Sequence, residues 1–126
     1  MLKEQRNSLE LQNFFRAVGD NTRRIVLDLL AENGQMTVSQ LSEQFPHLVR
    51  SGISKHLMDL RKSNIVFATK RGREQYYQIN PEMIRNVLKP WVEKYEKYWD
   101  ERLMKLKRTA ESMERDANES TEEDYR

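Results

Sequence analysis

The chain has 126 residues, with 22 Lys and Arg against 20 Asp and Glu for a formal net charge of +2, and no cysteine. That length suits one domain with a small core, and the absence of thiols excludes disulfides and every thiolate metal site. The segment Met1-Leu2-Lys3-Glu4-Gln5-Arg6 lacks an apolar signal core, and no run approaches the roughly 18 apolar residues of a membrane span, so a cytoplasmic protein without a membrane partner is expected.

Leu9, Leu11, Phe14, Phe15 and Val18 predict a first amphipathic helix that stops at Gly19, where a left-handed terminus suits a residue without a side chain. Asp20 or Asn21 can cap a second helix, whose stripe is Ile25, Val26, Leu29 and Leu30 and whose end is Asn33-Gly34. Thr37-Val38-Ser39-Gln40 matches a capping box, with Val38, Leu41 and Phe45 facing inward until Pro46 ends the helix. After the turn from Phe45 to Arg50, a further helix opens around Ser51 and runs to Asn64, which tolerates the left-handed conformation.

In that helix Ile53, Leu57 and Leu60 share one face, which leaves Ser51, Ser54, Lys55 and Arg61 to project outward. The runs from Phe67 to Lys70 and from Gln75 to Ile79 then flank Arg71-Gly72-Arg73-Glu74, predicting a β-hairpin with a cationic tip. Residues 50 to 73 carry seven Lys and Arg against one Asp, a local charge of +6 inside a chain of +2. Such segregated charge is what a nucleic-acid backbone attracts.

Pro81 opens a last helix with Ile84, Leu88, Trp91, Tyr95, Trp99, Leu103, Leu106, Ala110 and Met113 at spacings near three and four. About 30 helical residues would span about 45 Å, farther than a small domain is wide, so part of this stripe calls for a second subunit. Pro90 is expected to kink or break the helix. Residues 111 to 126 hold seven acids and two arginines, and a disordered acidic tail is expected there, after a domain covering residues 1 to 110.

The resulting fold class is mainly α with a small β-hairpin, in the order of a winged helix-turn-helix followed by a long C-terminal dimerisation helix. The run from Phe15 to Leu30 (FRAVGDNTRRIVLDLL), Ile53-Ser54-Lys55-His56-Leu57, and Gly72-Arg73-Glu74-Gln75-Tyr76-Tyr77-Gln78-Ile79 together resemble the ArsR/SmtB family of bacterial transcriptional repressors. The match covers roughly residues 9 to 107, and Tyr95 to Leu103 is similar to the last helix of a metal-free branch. The resemblance implies a homodimer paired through its first and last helices, with two recognition helices in successive major grooves of an inverted-repeat operator.

Three departures stand out. Asn21 replaces a Pro common after Asp20, and both residues suit a helix start. One extra residue separates Pro46 from Arg50, and Val49 stands where a capping Ser is common, so Ser51 is expected to cap instead. The thiolate pair of the metal sensors is absent from the helix matching Thr37 to Phe45, where Val38, Leu41 and Ser42 stand, and so is the carboxylate and histidine set of the last helix.

On this reading Arg50, Ser51, Gly52, Ser54, Lys55, His56 and Arg61 contact DNA from the helix, with Arg50 reading guanine or binding phosphate. Lys70, Arg71 and Arg73 contact the minor groove or backbone from the hairpin. Leu11, Phe14, Phe15, Trp91, Tyr95, Trp99, Leu103 and Leu106 are the expected dimer surface. Trp91, Tyr95, Tyr98 and Trp99 fit ordinary packing or a small-molecule effector site at the dimer seam. His47 and His56 lack an acidic cluster for a metal, no catalytic residues stand out, and no cofactor is expected. The rival from another class is a winged-helix protein-interaction module that does not bind DNA.

Overall fold

A computed structural model describes residues 3–124, with side chains from residues 5–119. Met1, Leu2, Tyr125 and Arg126, on which part of the leader and tail expectations fall, lie outside the described residues. The elements are α1 (Lys3–Val18), α2 (Asn21–Asn33), β1 (Met36–Thr37), α3 (Val38–Glu43), α4 (Arg50–Lys62), β2 (Val66–Arg71), β3 (Glu74–Ile79) and α5 (Pro81–Asp124). The chain forms two compact units, Met1–Leu88 and Lys89–Arg126.

Local chemistry sets the boundaries in the first unit. Asp20 caps α2 by accepting from the Arg23 N–H at 3.0 Å, and Gly34 closes the helix with φ 82 while donating to the Leu30 carbonyl. Thr37 and Gln40 form a reciprocal capping box at the start of α3. Asn64 takes φ 58 after α4, as its place beyond the helix end predicts. Gly19, expected to be left-handed, is not among the positive-φ residues; a Cβ there would stand 3.1 Å from the Phe15 carbonyl oxygen, so close approach to α1 explains the glycine.

The sheet has the order β1-β3-β2 and is antiparallel throughout. The hairpin of β2 and β3 is the expected one, with Arg71 opposite Glu74 across the turn. The two-residue β1, which pairs Met36 with Tyr77 and Thr37 with Tyr76, is too short to leave a periodic signal and was missed. Val26, Leu30, Leu41, Ile53, Leu57, Leu60, Ile65 and Val66, from α2, α3, α4, β2 and the turn before it, are fully enclosed at the centre of this unit. Met83, Ile84, Val87 and Leu88 of α5 close the core.

In the second unit α5 runs on from Lys89 to Asp124, and the helix continues through Pro90. Residues 111 to 124, where a disordered tail is expected, belong to this helix. Glu111 and Arg115 stand one turn apart, and Ala110 and Ala117 are strong helix formers, which favours this helix locally. Trp91, Tyr95, Tyr98, Trp99, Leu103, Leu106 and Met113 are exposed on this helix. Trp91 and Tyr95 pack ring to ring at 4.8 Å. No described helix is long and apolar enough to cross a membrane.

Candidate nucleic-acid interface

The apolar stripe of α4 fixes which side of it faces out. Ile53, Leu57 and Leu60 are wholly buried, so Arg50, Ser51, Lys55, Met58, Arg61 and Lys62 are exposed while Ser54 is half-buried. The helix begins one residue earlier than expected. Val49, with φ −79 and ψ 153, is the N-cap, and no side chain caps the helix. Its carbonyl accepts from the Gly52 and Ile53 N–H groups at 3.0 and 3.3 Å, so the backbone alone sets the start. Ser51 is therefore the second helical residue, which corrects the expectation that it caps. Gly52 is half-buried, with only a Val49 methyl near the place a Cβ would take.

The hairpin presents the second group of cations. Gly72 takes φ 63 in the two-residue turn between Arg71 and Glu74, and nothing crowds it. Lys70, Arg71 and Arg73 are exposed. The Arg71 guanidinium lies 4.1 Å from the centre of the Tyr76 ring, which restrains it on the strand surface. Tyr76 was not singled out from sequence, because only the strand pairing reveals which ring Arg71 meets.

Helix and hairpin meet at one surface. Arg50 of α4 and Arg73 of the hairpin line the same notch of about 210 Å³, together with Ser39 of α3 and Glu74. Among the described residues no ion pair involves Arg50, Lys55, Arg61, Lys62, Lys70 or Arg73.

His56 is placed differently from its neighbours. It is half-buried, its Nδ1 3.3 Å from Arg23 Nη1 and 4.0 Å from Asp20 Oδ1. Nδ1 thus faces Arg23 and Asp20, which leaves the Nε2 edge for a contact outside the molecule. Arg23 also donates to the Ala17 and Arg16 carbonyls at the end of α1 and to Asp59 Oδ2 at 3.4 Å. One guanidinium thus ties α1, α2 and α4 together. The Arg23 backbone N–H holds the Asp20 carboxyl below its usual range, assisted by the charges of His56 and Arg23 and opposed by desolvation. No local pattern marked Arg23 or Asp59.

The expected dimer residues divide. Phe14 is 7% exposed inside the core of its own unit, whereas Phe15 beside it is 40% exposed. Phe14, expected in the dimer surface, is thus enclosed by the core of its own unit. Leu11 is half-buried, and Trp91, Tyr95, Trp99, Leu103 and Leu106 are exposed on the second unit. A mainly apolar depression there is lined by Val92, Tyr95, Glu96, Tyr98 and Trp99. His47 is exposed in the turn before α4. Among the described residues no group of three or more His, Asp or Glu could hold a metal ion.

Comparison with known proteins gives a consistent picture. The family model for bacterial regulatory proteins of the arsR family matches residues 20–67. The chain is 33% identical over 76 residues to the transcriptional repressor SdpR of Bacillus subtilis, covering 60% of this chain and 82% of that protein. It is similar in structure to an ArsR-like transcriptional regulator from Rhodococcus sp. RHA1, with a TM-score of 0.64 at 30% identity, covering 82% of this chain and 94% of the other. The fold is also that of a homodimeric winged helix-turn-helix DNA-binding domain from Mycobacterium bovis, with a TM-score of 0.60 at 23% identity, covering 76% and 88% of the two chains.

Proposed function

The chain belongs to the ArsR family of bacterial regulatory proteins, and from that premise we propose that it is a homodimeric, sequence-specific repressor that binds an inverted-repeat operator and occludes a promoter. The observation that carries this reading is the shared notch of Arg50 and Arg73, which sets the start of α4 and the hairpin tip on one unpaired cationic surface. An α-helix fits the major groove, and a neighbouring cationic hairpin reaches the adjacent backbone or minor groove.

In this mechanism Arg50, Ser51, Gly52, Ser54, Lys55 and Arg61 bring guanidinium, hydroxyl, backbone and ammonium donors to base edges and phosphates. Lys70, Arg71 and Arg73 hold the flanking backbone, and their contacts displace counterions, which makes affinity fall with salt. His56 contributes through its Nε2 edge. The exposed stripe of Trp91, Tyr95, Trp99, Leu103 and Leu106 supplies contacts with a second copy, and Leu11 and Phe15 of α1 in the first unit supply others. Repression is favoured by the likeness to a relative that is a repressor.

The test is selection of bound fragments from a genomic library, followed by footprinting of the strongest. We expect salt-sensitive binding and a protected inverted repeat whose half-sites lie about one helical turn apart. Absence of salt-sensitive binding to any fragment would sink the proposal.

A further inference from the structure

Met58 is the one large apolar side chain on a face otherwise made of donors. It stands one turn after Ser54, two turns after Ser51 and three residues after Lys55, and it is 56% exposed. Packing does not account for it, since the apolar stripe of α4 is completed by Ile53, Leu57 and Leu60, all fully buried. Phosphates and most base edges offer an apolar side chain nothing to replace the water it loses. Among the groups that base pairs present in the major groove, the apolar one is the C5-methyl of thymine.

We infer that Met58 is a specificity-determining residue that reads a thymine through its methyl group. The inference rests on the DNA-binding reading above and adds one base identity to it. The unbranched thioether is suited to the contact, being long enough to extend beyond the hydroxyls of Ser51 and Ser54 and adaptable in shape. The cationic neighbours Lys55 and Arg61 stand on the same outward side, so phosphate anchoring and methyl contact are available from one helix. The contact predicts a thymine preference at one position of each half-site.

The experiment uses the full chain and the operator recovered by fragment selection. Each thymine of one half-site is replaced in turn by deoxyuridine, which deletes only the methyl, and affinities are measured by fluorescence anisotropy for the wild type, Met58→Ala and Met58→Leu. We expect one position at which the wild type and M58L lose about fourfold, the value of one buried methyl, while M58A is insensitive there and binds the unmodified site correspondingly weaker. Operator binding in which all three proteins share the same uracil profile overturns the assignment and leaves the DNA-binding reading standing. Failure to bind any fragment overturns both.

Discussion

Arg23 Nη1 on α2 lies 3.4 Å from Asp59 Oδ2 on α4, so the helix that presents the cationic face is anchored from behind by a residue 36 positions away. The same guanidinium bonds the end of α1 and approaches His56. Arg23→Met removes these bonds together and leaves Asp59 and the α1 carbonyls without their partner. We expect a loss of stability of about 1 to 3 kcal/mol in urea titrations. A change smaller than about 0.5 kcal/mol would show that the helices are held by apolar packing alone.

Asp20 supplies a pH-dependent part of the stability. Its folded pKa lies below the usual 3.8, so the folded state binds fewer protons than the unfolded one over that range. The contribution is complete above about pH 5 and lost as pH falls through the folded value. Asp20→Asn retains a capping acceptor without the titration. The stability difference between wild type and D20N should therefore shrink between about pH 5 and pH 3, measured by chemical denaturation across that window. A difference that grows toward low pH would contradict the assignment.

The hairpin cations should act through charge. Arg71→Ala with Arg73→Ala removes two exposed guanidinium groups without touching the core. In anisotropy titrations the double variant should bind more weakly, and the slope of log affinity against log salt should flatten by up to about 4, two cations from each subunit. An unchanged slope would remove the hairpin from the interface.

The outer helix should act through apolar contact. Trp99 and Leu106 are 62% and 61% exposed, and exposed aromatic and aliphatic groups at helical spacing need a partner surface. Trp99→Glu with Leu106→Glu should convert dimers to monomers in analytical ultracentrifugation while the first unit keeps its fold. Persistent dimers would place the seam elsewhere.

Much of the first unit could be read from local pattern. The stripes Val26 with Leu30 and Ile53 with Leu57 and Leu60 are periodic, and a period is visible wherever one face is buried. Asp20, Thr37 with Gln40, Gly34 and Asn64 mark helix ends because each satisfies or bends its own neighbouring backbone. Other features could not be read in this way. β1 is two residues long and exists only because β3 lies beside it. Phe14 and Phe15 are adjacent aromatics, and nothing local says which one the core takes.

By itself the order of residues determined the helices, the hairpin and the concentration of positive charge between Arg50 and Arg73, since capping, periodicity and charge act over a few positions. Folding in three dimensions decided that Arg50 and Arg73 line one notch, that His56 turns its Nδ1 to Arg23 across 33 positions, and that Met58 remains uncovered on the outward face of α4. Those outcomes depend on which distant surfaces close against one another, and the free energy that selects them belongs to the packed core rather than to any short stretch of chain.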